Sequence, residues 1–150
     1  MKEQISREAA VQKARQIIGN LTLTEKIGQL SQFGTSIYSN QLNIREDRLK
    51  EGKLGSYLTV NGAKLTNQIQ KTALELMPTP IPVLFGEDVI HGFRTIFPTP
   101  LAQSCSWNPE LARRGAEISA QEAYAAGIKW TFSPMVDIAR DPRWGRIMEG

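Results

Sequence analysis

The chain has 150 residues, of which 41% are hydrophobic and 22% charged, with 18 Lys and Arg against 15 Asp and Glu. That balance suits one globular domain with a real core and excludes disordered, collagen-like and low-complexity chains. The net charge of +3 is mild and scattered, so the concentrated basic stripe of a nucleic-acid binder is missing.

The elements follow in chain order. Ile5, Ala9, Ala14, Ile17 and Ile18 recur near helical spacing, which predicts an amphipathic helix stopping at Gly19-Asn20. Thr22-Leu23-Thr24-Glu25 fits a capping box, opening a short helix whose buried face should be Ile27 and Leu30. Residues 31–50 read as irregular, with a helical turn at 43–50. Leu54–Val60 reads as a strand, and Leu65, Ile69, Ala73 and Leu76 share one face of a helix over 64–76. Ile81–Phe85 is a second strand, ending in Gly86-Glu87-Asp88. Asn108-Pro109-Glu110 marks a helix start, with an N-cap, a proline at the first position and an acid in the first turn. That helix should reach about Ala126, with Gly127 beyond its end, and Ile128–Val136 is a third strand.

The order strand, helix, strand, helix, strand is the βαβ pattern of parallel strands with right-handed crossovers. The fold class is therefore α/β. Two architectures remain: a doubly wound open sheet or part of a (β/α)8 barrel. The doubly wound reading would need a Gly-rich phosphate loop after the first strand, and Val60-Asn61-Gly62-Ala63 does not supply one. No linker-like stretch marks a domain boundary. No run approaches the roughly 18–20 apolar residues of a membrane span. The N-terminal run is charged throughout and does not read as a signal peptide, so a cytoplasmic location is expected.

Ligands of parallel α/β folds sit at the C-terminal ends of the strands. Asp88 ends an apolar strand; it can accept sugar hydroxyls, cap the next turn or pair with an arginine. Glu87 and Asp88 are adjacent and should point to opposite faces, which argues against a catalytic pair. His91, the single histidine, could be a general base, a metal ligand or a loop-holding hydrogen-bonder. With no second His and no nearby Cys, no metal and no cofactor is expected. Asp141-Pro-Arg-Trp-Gly-Arg146 offers arginine forks suited to vicinal hydroxyls, and Trp144 could stack on a sugar or simply pack. A charged loop held by internal ion pairs is the other reading. Cys105, the single cysteine, excludes an internal disulfide; as a nucleophile it would need His91, and a small buried residue fits better.

Three stretches carry a resemblance: Leu23–Leu30, Ile81–Pro98 and Trp130–Arg146. From about residue 10 onward the chain resembles the N-terminal domain of glycoside hydrolase family 3, in its β-glucosidase branch. The resemblance implies the first three βα units of a (β/α)8 barrel, preceded by N-terminal helices, with residues 1–150 forming a partial domain. It implies hydrolysis of terminal β-D-glucosyl or related residues with retention, which needs two carboxyl groups roughly 5–5.5 Å apart. The family's nucleophile, its acid/base and a Lys-His pair all fall beyond residue 150, so no catalytic residue is expected here. The chain then looks like an N-terminal fragment, inactive by itself. Asp88 matches the aspartate that binds hydroxyls of the terminal sugar. Arg146 matches the arginine lining the same subsite, and Arg143 an arginine that supports it by ion pairing. His91-Gly92 matches a loop feature. Members that cleave N-acetylglucosamine carry Glu-Gly-Gly after this strand; Glu87-Asp88-Val89-Ile90-His91-Gly92 instead favours a glucosidase or xylosidase. The expected ligand is a β-linked oligosaccharide or an aryl or alkyl glucoside, with no nucleic-acid or membrane partner. An inactive remnant, or a stand-alone sugar-binding or interaction protein, is the alternative.

Overall fold

The computed structural model describes residues 5–34 and 44–150. Helix α1 (Arg7–Asn20) starts where Ser6 Oγ accepts the Ala9 amide at 3.2 Å. It has the expected period, yet none of its residues is buried. Helix α2 (Leu23–Gln29) opens on the expected capping box: Thr22 Oγ1 accepts the Glu25 amide at 3.2 Å and Glu25 Oε2 accepts the Thr22 amide at 2.9 Å.

The face of α2 differs from expectation. Ile27 is 58% and Leu30 86% exposed, while Glu25 and Gly28 are buried. The cause is close packing. The Gly28 Cα lies so near the chain at 52–53 that a Cβ there would stand 1.9 Å from Gly52 O. Glu25, turned to the same side, takes the Thr79 hydroxyl at 2.7 Å. Only a glycine and a polar tether fit that seam, so the apolar residues turn outward.

Strand β1 (Gln32–Gly34) falls in a stretch read as irregular. Three residues with one apolar side chain give no period to detect. Helix α3 (Glu46–Lys50) lies within the expected turn at 43–50, whose residue 43 is outside the described residues. Then follow β2 (Ser56–Leu58), α4 (Ala63–Leu76), β3 (Leu84–Glu87), α5 (Pro100–Ser104), α6 (Pro109–Ala125) and β4 (Trp130–Thr131), with a 3-10 turn at Ile147–Glu149. Helix α6 begins as expected, Asn108 Oδ1 accepting the Glu110 amide at 3.1 Å ahead of Pro109. Beyond its end Gly127 has φ +96°, and a Cβ there would stand 2.3 Å from Thr66 Oγ1.

The fold class is the expected α/β, with four parallel strands among the described residues rather than three, in the order β1-β2-β3-β4. Each crossover steps one strand in the same direction. A doubly wound sheet reverses direction midway; a barrel never does. The register sets Phe33, Tyr57 and Phe85 side by side. Tyr57 and Phe85 stack at 5.9 Å and bury against Leu54, Ile69, Ala73 and Val83, on the helix side of the sheet. The Tyr57 hydroxyl donates to Ile44 O, and burial pushes its pKa well above the usual phenol value. On the other side of the sheet, Leu84 is 49% and Trp130 43% exposed.

Candidate functional site

Strand β3 ends at Glu87, so Asp88 is the first residue past its C-terminal end. Glu87 is tied down, accepting Asn61 Nδ2 at 3.2 Å. Asp88 is exposed and makes no hydrogen bond or ion pair among the described residues. Two neighbouring carboxyl groups thus have different roles, as the alternation of strand residues requires.

The chain leaving β4 returns to the same end of the sheet. There the Arg146 guanidinium donates through Nε and Nη2 to Glu149 Oε2 at 2.8 and 2.5 Å. A weaker contact joins Nη2 to Met135 Sδ at 3.9 Å. Arg146 Nη1 has no hydrogen bond among the described residues. Glu149, then Asp88 and Asp137, hold the guanidinium in its charged form, and Arg146 in turn holds the Glu149 carboxyl below its usual range. His91 also lies within electrostatic reach of Glu149. Segments some 50 residues apart in the chain thus come within electrostatic range, Arg146 of Asp88 and Asp137, and Glu149 of His91, with Arg146 and Glu149 in direct contact.

Arg143 stands outside that group. Its guanidinium grips Asp141, Nε to Oδ1 at 2.9 Å and Nη2 to Oδ2 at 2.5 Å, and its amide donates to the same Oδ1 at 2.9 Å. The pair holds the Asp141 carboxyl low. Trp144 between the two arginines is half-buried.

The loop after β3 is closed on itself. Phe97 N donates to His91 O at 2.7 Å, and His91 Nδ1 lies 2.8 Å from Phe97 O. A carbonyl only accepts, so Nδ1 carries the proton. Gly92 pairs with Ile96 at φ +131°, where a Cβ would stand 2.1 Å from Thr95 O. Of the three readings open for His91, this geometry matches the loop-holding one. No group of three or more metal-ligating side chains occurs among the described residues. Cys105 is exposed, contrary to the expectation of burial, because α5 is a five-residue helix with no buried residue.

An apolar groove of about 610 Å³ opens behind this loop, between α6 and β4. His91 and Gly92 line it, whereas Asp88, Asp137, Arg143, Arg146 and Glu149 do not.

Two acidic residues escape the sequence analysis. Glu149 has a signal, since it follows Arg146 by three residues within one turn. Glu122 has no local signal, because it binds residues 27 and 28 positions upstream.

An exposed, unpaired carboxylate beside an arginine with free N–H donors is chemistry for polyols. The carboxylate accepts from hydroxyls and the guanidinium donates to them. Known proteins agree in kind. The Glycosyl hydrolase family 3 N terminal domain matches residues 22–150. A periplasmic beta-glucosidase of Salmonella typhimurium is 37% identical over 134 residues, covering 89% of this chain and 17% of that protein. The beta-glucosidase of Listeria innocua in complex with glucose superposes with a TM-score of 0.77 at 40% identity, over 92% of this chain and 21% of that one. A mutant of the same enzyme in complex with laminaribiose gives 0.79 at 38% identity, over 97% and 21%. The chain thus spans about a fifth of the length of these relatives. With a family match running from the capping box of α2 to the last residue, the chain belongs to glycosyl hydrolase family 3, within its N-terminal barrel domain.

Proposed function

We propose that the protein containing this chain hydrolyses terminal, non-reducing β-D-glucosyl residues with retention of configuration, and that these residues build part of the subsite for the terminal sugar. Asp88 accepts hydroxyls of that sugar, Arg146 donates to them, and Arg143 braces the segment through Asp141. The observation that carries the reading is the Asp88 carboxylate at the C-terminal end of β3, exposed, without a hydrogen bond or ion pair among the described residues, and electrostatically coupled to Arg146. The glucose and laminaribiose complexes of the Listeria relative support the same ligand class.

The residues here bind and orient. They hold the sugar ring while two carboxyl groups contributed from elsewhere in the protein carry out displacement and proton transfer. Contacts to hydroxyls that tighten in the transition state raise kcat as well as affinity.

The test is Asp88→Ala in the protein that contains this chain in full, assayed on an aryl β-glucoside. Loss of two charged hydrogen bonds at about 1.5–2 kcal/mol each lowers kcat/KM by about a hundredfold to a thousandfold. An unchanged kcat/KM sinks the assignment. Saturable glucose binding by a protein with no turnover would support the sugar-binding alternative instead.

A further inference from the structure

We propose that Glu122 is a positioning residue of the sugar subsite: from α6 it clasps the tip of the loop after β3, and so sets where Asp88 and His91 stand against Arg146. The proposal rests on the subsite reading above and goes beyond it in naming what holds the subsite together.

The geometry is specific. Glu122 Oε2 accepts the backbone amides of Arg94 and Thr95, both at 2.9 Å, and Oε1 takes the Thr95 hydroxyl at 2.6 Å. All three donors come from the tip of one loop. A glutamate on a helix usually extends into solvent or pairs with a residue a turn away; this one spends both oxygens on a distant segment.

The loop itself is a small closed hairpin. Its base is the His91–Phe97 pair of hydrogen bonds, and its middle is the Gly92–Ile96 bridge. Asp88 lies three residues before that base. Between them Val89 is buried in the core. Phe93 packs against the core, and Glu122 adds a second hold at the tip, so the hairpin and the short run from Asp88 that leads into its base are fixed together.

Helix α6 also meets the loop at its base. Gly115 faces the Phe97 ring, 3.6 Å from an ideal Cβ position to Phe97 Cγ. The same helix runs through Gly127 into β4, and the chain leaving β4 carries Arg146 and Glu149. One rigid element thus grips the Asp88 side of the subsite and delivers the Arg146 side.

The experiment is a double-mutant cycle in the protein that contains this chain in full, read on an aryl β-glucoside. Glu122→Ala should lower kcat/KM about tenfold or more, and Glu122→Gln by no more than about threefold, because the amide oxygen still accepts both backbone N–H groups. Once Asp88→Ala is present, Glu122→Ala should cost less than about twofold, since it acts through Asp88. Hydrogen exchange of the peptide spanning residues 91–98 should quicken in Glu122→Ala and stay unchanged in Asp88→Ala. A full multiplicative loss in the double variant, or unchanged exchange, overturns the proposal while leaving the subsite reading intact. If Asp88→Ala alone is fully active, the subsite reading falls and this proposal with it. Should Glu122→Ala not fold, Thr95→Ala removes a single hydroxyl from the clasp and runs the same cycle with a smaller loss of the same sign.

Discussion

Glu25, Asp141 and Glu149 are each held below the usual carboxylate range by hydrogen bonds: Glu25 by the Thr79 hydroxyl first and then Thr22, Asp141 by Arg143, Glu149 by Arg146. A carboxyl whose pKa is lowered by folding adds stability that is fully present above its unfolded pKa, near 4.5 for Glu. That stability is lost as the pH falls through the folded value. Glu25→Gln should therefore melt lower than the parent protein at neutral pH, and the gap should close on acidification below about pH 4 as the parent carboxyl takes up its proton. A gap in melting temperature that stays constant from pH 7 to pH 3 contradicts the tether. The same residue shows why the sequence was half legible. The box Thr22–Glu25 is a local pattern with its own period, and it was read in full. The bond to Thr79, 54 residues away, has no local trace. The βα rhythm and the chemistry of Asp88 and of the arginine forks mark where a polar ligand would lie; the role given to each of Asp88, Arg143 and Arg146 comes from the family resemblance.

At the scale of elements, helices with a 3.6-residue period are legible to within a few residues: α4 by its apolar face alone, and α6 by its Asn108 cap and proline. Strands were found longer than they are. Ile128–Val136 contains β4 at Trp130–Thr131 alone, because an apolar run marks burial and not the length of a hydrogen-bonded ladder. Two contrasting substitutions test the packing. Gly28→Ala places a methyl group where Gly52 O and Lys53 Cα already stand at 1.9 and 2.7 Å. Both atoms are backbone, so α2 must move, at a cost of about 1–3 kcal/mol or more. Ile69→Ala empties a fully buried site on α4 and should cost about 2–5 kcal/mol. Denaturant midpoints measure both. A Gly28→Ala variant as stable as the parent would mean that α2 does not sit against the 52–53 turn.

The described residues form a four-stranded parallel sheet with its core on the helix side and half-exposed apolar side chains on the opposite face. Parallel sheets are covered on both faces because their strands are apolar on both. Here Leu84 and Trp130 stand half exposed on the open side, and Leu30, Val136 and Ile138 are 86%, 85% and 78% exposed around it. Both outer strands also present backbone groups that pair with no strand among the described residues. A surface of this kind recruits whatever covers it. Residues 1–150 expressed by themselves should therefore self-associate and bind a hydrophobic dye. Under the proposed reading, in which these residues bind sugar and the nucleophile and acid come from elsewhere in the protein, they should show no turnover of an aryl β-glucoside. Sedimentation velocity and a thermal melt decide the first point. A monodisperse monomer with a sharp cooperative transition would show that the open face is stable in water, and that the sheet with its helices is a folding unit in its own right. Turnover by the purified 150-residue chain would move the catalytic carboxylates into it, and Asp88, Asp137 and Glu149, gathered at the strand ends, would be the first to replace.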